Sequence, residues 1–590
     1  MKKIILLLLL PLQMLAQNSS FSTFKAYNFP TELCAAASGS KIAWALDEQG
    51  RRNVYVAEGP AFNPRKLTNF SKDDGQEITS LSISNDGNWV VFVRGGDHGA
   101  NWDHGLPLNP AFEVSPFNVQ VGSILFDGGE TKYLSEGDAP VISPDSKTVA
   151  FIKGGLAWAA PIDGTLPAKN LFTTRGTVGS LEYSAGDSLL LFVASRTDHS
   201  IIGIYTNATS PIRWIAPSFY FDGAPHWSPD GKNIVFVRRS GAGGAPDSLL
   251  VKKHIPWSIY TADVATGKAT LLWKAPATLR GSVPTTDGGY NLHWAASDRI
   301  VFLSYQDGWP HLYSIAASGG KETLLTPGSF MCEHITLSAD KKLLTFSTNT
   351  GNYKLDIERR HAAKVSVDKA DMQVLTNGSG LEWAPVLIND NNTVAFISAT
   401  AQQSPLPAIL QLSGGNNTVQ LLGEALTPAN FPKDKLVTPT QVIFKSEDGV
   451  TVHADLFLPT GGASKKAAIV YVHGGPPRQM LLGWHYSDYY SNAYASNQYL
   501  ASLGFVVLSV NYRLGIGYGY EFHQPKNAGP AGASEYLDIK AAGEWLHKQS
   551  FVDATKIGIY GGSYGGYLTA MALAKDSKLF AAGVDIHGVH

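Results

Sequence analysis

Between residues 37 and 400 the chain repeats one pattern: a polar turn built on Ser, Asp, Asn or Gly, a short apolar strand, then another turn and strand. Clear copies are SLSISNDGNWVVFVRG at 80–95, APVISPDSKTVAFIKG at 139–154, PHWSPDGKNIVFVRRS at 225–240 and HITLSADKKLLTFSTN at 334–349. Weaker copies lie at 41–58, 181–196, 292–315 and 384–399. The turn residues Asp86, Asp145, Asp187, Asp230, Asp298, Asp340 and Asp390 recur 42 to 68 residues apart. A spacing near 40–50 residues suits propeller blades, each a small twisted sheet that cannot bury both faces alone. An array of β-sandwiches has similar strand spacing, but so many like units favour a propeller of seven or eight blades. Aspartate suits the turn because it can bond its own backbone.

The rhythm changes near residue 435, where prolines 428, 432, 439 and 459 punctuate the chain. QVIFKSEDGVTVHADLFLP then reads as a hairpin, and AAIVYVHGG, GFVVLSVNY and KIGIYGG as nearly all-apolar strands. Such strands are buried on both faces, as parallel strands are. SEYLDIKAAGEWLHKQS is predicted to be an amphipathic helix with Leu537, Ala541, Trp545 and Leu546 on its apolar face. Strand and helix in alternation predict a doubly wound sheet. The expected organisation is thus a β-propeller over 17–435 followed by an α/β-hydrolase domain over 436–590, incomplete at its C-terminus.

Composition narrows the function. The 590 residues are 44% hydrophobic and 16% charged, with a formal net charge of −2. That balance gives no electrostatic footprint for nucleic acid or an anionic membrane surface. The only cysteines are Cys34 and Cys332, so no disulfide scaffold is expected, although one bridge between them is open. No metal-binding spacing occurs, and neither a metal nor a cofactor is expected. The opening MKKIILLLLLPLQMLAQ has a basic start, a short apolar run and a small residue at Ala16. It reads as a signal peptide over 1–16, cleaved near Ala16, and implies a secreted or periplasmic protein without a stable membrane anchor. The apolar run is too short for a membrane anchor, which needs about 20 residues.

The chemistry sits near the end. GGSYGG places Ser563 in the pattern G-x-S-x-G between the buried strand KIGIY and the helix former YLTAMALAKD, which is expected to begin after Gly566. A serine on such a strained strand-to-helix turn is exposed as a nucleophile, and Gly561 and Gly565 let the backbones around it approach. The bland alternative is a glycine-rich structural turn. A tetrahedral intermediate needs oxyanion donors. The backbone N–H of Tyr564 is one by geometry, and Gly474, in the loop of YVHGGPPRQ, is the candidate for the second. His473 either joins the oxyanion site or packs beneath the loop.

HGGPPRQ, the N-Y-R-L-G-I-G-Y-G stretch over 511–519 and GGSYGG, behind a propeller and a signal peptide, resemble the prolyl oligopeptidase family of serine peptidases. The resemblance implies a propeller capping the hydrolase domain and short peptides as substrates. Many dipeptidyl members carry adjacent propeller glutamates that hold a free amine, whereas this chain has no Glu-Glu pair. Dipeptidyl specificity is therefore not expected. Where the family often has N-Y-R-G-S, this chain has Leu514 and Gly515, which implies an altered turn.

In α/β hydrolases the acid and the histidine follow the serine in the chain. Asp576, Asp585, His587 and His590 come in that order, but AAGVDIHGVH reads as the next strand of the sheet, with no loop to bring a base over Ser563. The resemblance implies an acid and a histidine several tens of residues further on. The expectation is that the triad acid and base are not in this chain, which would then be a poor catalyst. The function expected of the complete enzyme is hydrolysis of short peptides through an acyl-enzyme on Ser563. The alternatives are an esterase on the same scaffold and a non-catalytic propeller binding protein. Oligomeric state is not readable.

Overall fold

A computed structural model describes residues 20–96, 98, 118–186, 188–243, 251–388, 391–413, 418–461 and 465–590. The segment read as a signal peptide, and Asp187 and Asp390, lie outside the described residues. Eight four-stranded units are found among the described residues, over 29–66, 78–136, 138–170, 177–215, 221–274, 293–324, 332–374 and 381–421. The fourth and fifth are joined by a single parallel bridge, Ser200 to Phe221. The first strand, Phe29–Ala35, packs against strands of the eighth unit and closes the ring. The eight sequence copies fall one to each blade.

One position makes the repeat physical. The second strand of each blade carries an aromatic residue with at most 1% exposure: Trp44, Phe92, Phe151, Phe192, Phe236, Phe302, Phe346 and Phe396. Each ring fills the space between neighbouring sheets, and burying one contributes about 1.5–3 kcal/mol. The turns entering these strands are stapled alike. Ser84, Ser143, Ser228 and Ser338 donate their hydroxyls to Asp86, Asp145, Asp230 and Asp340 at 2.6–2.7 Å. The N–H two residues beyond each aspartate donates to the same carboxylate oxygen at 3.0–3.1 Å.

After two short 3-10 turns the chain enters a six-stranded sheet. We label its strands β1 (Thr440–Lys445), β2 (Thr451–Phe457), β3 (Lys466–Val472), β4 (Val506–Asn511), β5 (Val552–Gly562) and β6 (Ala582–Ile586). The spatial order is β1-β2-β4-β3-β5-β6, with β4, β3, β5 and β6 mutually parallel. The connecting helices are α1 (Asp488–Ser502), α2 (Tyr536–His547) and α3 (Tyr564–Lys575). Strand periodicity divides the two faces. Val470, Val472, Leu508 and Val510 join the core under α2 and α3, whereas Tyr471 and Val507 join a core shared with α1 and the first and eighth blades. The architecture is therefore an eight-bladed propeller packed on an α/β-hydrolase sheet.

Three details differ from the sequence reading. In α2 the buried stripe runs through Asp538, Ile539, Ala542 and Leu546, leaving Leu537 and Trp545 half-buried. The helix is rotated because Asp538 is drawn inward by Arg513, whose Nη2 lies 2.6 Å from it. Helix α3 starts at Tyr564 rather than after Gly566, and α1 is a helix that its polar and aromatic sequence, DYYSNAYASNQYLAS, does not announce. Cys34 and Cys332 are both free thiols.

Candidate active site

Ser563 joins β5 to α3 with φ 54° and ψ −120°, a left-handed backbone that costs a non-glycine residue on the order of 1–3 kcal/mol. The surroundings hold it there. Its N–H donates to Ile586 of β6 at 2.9 Å, and its carbonyl accepts the Tyr567 N–H at 3.1 Å. A Cβ at Gly561 or Gly565 would collide with the Val472 carbonyl oxygen, so the end of β3 and the start of α3 touch. That close approach is what the paired glycines of GGSYGG provide. Ser563 Oγ has no hydrogen bond to any described residue.

Tyr564 is the first residue of α3, and its N–H has no intrahelical acceptor. Its side chain is tied elsewhere: the hydroxyl donates to buried Glu535, which also accepts the Gly529 N–H at 3.1–3.2 Å. Burial and the Glu535 charge hold the Tyr564 hydroxyl well above its ordinary pKa. The resource Tyr564 offers to Ser563 is its backbone amide.

The loop after β3 supplies the opposite wall. A Cβ on Gly474 would lie 2.6 Å from the Gly562 oxygen and 3.1 Å from Ser563 Cβ, so only glycine fits at this contact. The Gly474 carbonyl points away into the protein, accepting the Tyr490 hydroxyl at 2.8 Å. His473 is fully buried with its ring stacked on Tyr512, centroids 4.3 Å apart. Its Nδ1–H donates to the Gly474 carbonyl at 3.1 Å, and the Tyr512 hydroxyl donates to its carbonyl at 2.8 Å. Burial, aided by the Arg478 charge, pushes its pKa down to about 4, so it is neutral at pH 7. His473 lies beneath the loop.

The next residues are stitched to the propeller, a connection absent from the sequence reading. Gln479 accepts from Arg360 Nη1 at 2.9 Å and donates to the Ile357 carbonyl at 2.8 Å. Its carbonyl accepts from His485 Nε2 at 3.1 Å. Arg360 is itself buried against Glu333. Leu482 N–H donates to the Glu358 carbonyl at 3.1 Å. On the hydrolase side Asn511 grips Met480, accepting its N–H at 2.7 Å and donating to its carbonyl at 3.0 Å.

The N-Y-R stretch thus has structural work to do. Asn511 holds the loop, Tyr512 stacks on His473, and Arg513 joins Asp538 and Asp448. Leu514 has φ 80°, a position where the G of N-Y-R-G-S would be unstrained, while a Cβ on Gly515 would sit 2.7 Å from the Arg478 oxygen.

Beyond α3 the backbone of Ile586 meets the serine turn, but no acidic or histidine side chain there is hydrogen-bonded to Ser563. Asp576 accepts the Tyr536 hydroxyl. His590 Nε2 lies 2.7 Å from Asp585 on the exposed edge beyond β6, and His587 has left the strand at φ 40°. No described histidine is hydrogen-bonded to Ser563. Among the described residues no group of three or more His, Cys, Asp or Glu side chains is placed to hold a metal ion.

Residues 491–590 match the prolyl oligopeptidase family. The chain is 26% identical over 513 residues to dipeptidyl aminopeptidase BIII of Pseudoxanthomonas mexicana, covering 76% of this chain and 69% of the relative. It is 22% identical over 570 residues to acylamino-acid-releasing enzyme 1 of Oryza sativa subsp. japonica, covering 92% of this chain and 63% of that protein. The fold is similar to the crystal structure of Porphyromonas gingivalis dipeptidyl peptidase 4, with a TM-score of 0.70 and 16% identity over 96% of this chain and 83% of the other. The strained serine turn lies inside residues 491–590, the segment that is similar to the prolyl oligopeptidase family, and the fold around it is similar to that of a dipeptidyl peptidase 4.

Proposed function

We propose that the protein is a serine-type peptidase that hydrolyses short peptides through an acyl-enzyme on Ser563, with the amides of Tyr564 and Gly474 stabilising the oxyanion. The observation that carries this reading is the contact between Gly474 and the strained Ser563 turn. That close approach, next to a hydroxyl with no described hydrogen-bond partner, supports an acyl-transfer site in which both amides would serve as donors. His473, neutral and stacked under the loop, supports the loop and does not act as the base. Short peptides are the substrate class because the hydrolase sheet is packed against a propeller, and because the relatives are named for releasing dipeptides or acylated residues. With no Glu-Glu pair in the chain, N-terminally blocked peptides are expected to be turned over at least comparably to free ones. The apolar opening segment supports export to the periplasm or beyond.

With no described histidine hydrogen-bonded to Ser563, the described residues by themselves are proposed to give only weak catalysis. Loss of the base leaves roughly 10³–10⁴-fold over water from the oxyanion site and binding. The test is turnover of chromogenic short peptides, blocked and free, by the full-length protein and by Ser563→Ala. The reading expects cleavage that the alanine variant loses. Cleavage that survives in Ser563→Ala excludes Ser563, and an intact protein that binds peptides without cleaving them favours the binding-protein alternative.

A further inference from the structure

Arg478 follows Gly474 by four residues, and its main chain is fixed. The N–H donates to the Pro476 carbonyl at 2.6 Å, and the carbonyl accepts the Ile516 N–H at 3.2 Å. The side chain is treated differently from its neighbours. It is exposed, forms no ion pair with any described carboxylate, and has Nη1 on the adjacent Pro477 carbonyl at 2.9 Å. A Cβ built on Gly475 would come 3.9 Å from its Nε and 4.0 Å from its Cζ, so the guanidinium folds back over Gly475. Gly475 adjoins Gly474, which touches the Ser563 turn. The charge is felt by the groups around it: Arg478 opposes the burial that pushes Tyr490 up to about 12, and adds to the burial that lowers His473.

The other arginines around this loop and its supporting strand are matched. Arg360 is bound to Glu333, and Arg513 to Asp538 and Asp448. Across the cleft, Glu333 is the propeller carboxylate that senses Arg478, but it is buried and already held by Arg360. The loop therefore presents, over Gly475 and next to the Gly474 that touches the Ser563 turn, a guanidinium that meets the Tyr490 hydroxyl and the Pro477 carbonyl but no described carboxylate. Its planar fork fits a carboxylate through two parallel hydrogen bonds.

We propose that Arg478 is a binding subsite for a carboxylate of the peptide held at Ser563, from an acidic side chain or from the peptide's C-terminus. The inference rests on the peptidase reading above. It is tested by calorimetric titration of full-length protein carrying Ser563→Ala, which binds without turnover. One pair of probes is the N-acetylated tripeptide amides Ala-Asp-Ala and Ala-Asn-Ala. The other is N-acetyl-trialanine as free acid and as amide. The acid is expected to bind about tenfold tighter in at least one pair, since a charge-assisted hydrogen bond is worth that much. The first pair identifies a side-chain carboxylate, the second a terminal one. Adding Arg478→Met should erase that advantage, and Arg478→Lys should keep part of it. No advantage for the acid in either pair, or one that persists in Arg478→Met, overturns the proposal. Labelling of Ser563 by a fluorophosphonate in the parent protein tests the peptidase reading separately, so the two can fail independently.

Discussion

The two sides of Ser563 are built in opposite ways. Toward β3, the segment 473–485 is mostly buried, and its polar groups are tied to the propeller through Gln479 and Leu482 and to the sheet through Asn511. Toward β6, the residues are exposed: Val584 is 60% accessible and Val589 55%, and the Asp585–His590 pair lies in water. One side has the rigidity that preorganised oxyanion donors need. The other meets the serine turn only through the Ile586 carbonyl, and no described side chain there is hydrogen-bonded to Ser563. The difference teaches that one wall beside Ser563 is specified by packing against the propeller, so the propeller shapes the serine's surroundings.

The comparison breaks first at Arg360. Arg360→Met leaves Glu333 buried without its partner, and about 3–5 kcal/mol of stability should be lost in denaturant unfolding. Replacing both, Arg360→Met with Glu333→Leu, should recover most of it. If the single variant is neutral, the propeller does not anchor the loop.

The next effect is on pH. His473 titrates at about 6.5 when unfolded and about 4 when folded, so the unfolded chain takes up the proton first as pH falls. Its contribution is complete above about pH 6.5 and is lost toward pH 4, amounting to at most about 3 kcal/mol. His485, also lowered by burial, acts in the same direction. Unfolding curves of the parent and His473→Gln should converge as pH drops through this window; a constant gap would show that His473 is not buried neutral.

A smaller change is expected from Asn511→Ala, which removes both bonds to Met480 and should cost about 2 kcal/mol. It should also lower kcat/KM of the protein, because the loop that carries Gly474 and Arg478 is loosened. The smallest effects belong to the other side. His587→Ala and His590→Ala should each shift stability by no more than about 0.5 kcal/mol and leave turnover unchanged. A large fall in turnover from either would mean that the edge residues reach the serine after all.

Much of this was legible in the sequence, for reasons that are local. The Ser-x-Asp turns and the buried aromatic of each blade are short-range signals, which is why the eight copies could be read. The one at 41–58 is displaced by a strand because its clear signal, KIAWAL, is the second strand of its blade. The serine turn was legible because glycine spacing reports backbone contact. The Gln479–Arg360–Glu333 link was not, since it joins residues far apart in sequence and no periodicity records it. Helix α1 was missed because tertiary contacts of Tyr490, Tyr494 and Ala495 with the first and eighth blades, rather than a regular apolar stripe, favour it. The tilt of α2 followed from Asp538 serving Arg513, a buried ion pair that an apolar pattern hides.

The central claim is that Ser563 is the nucleophile, set between the Tyr564 and Gly474 amides. Its most direct test is peptide mapping by mass spectrometry after full-length protein reacts with a fluorophosphonate. The account predicts a single phosphonylated site at Ser563, abolished in Ser563→Ala and retained in His587→Ala and His590→Ala. Modification at another residue, or full labelling of Ser563→Ala, would contradict it.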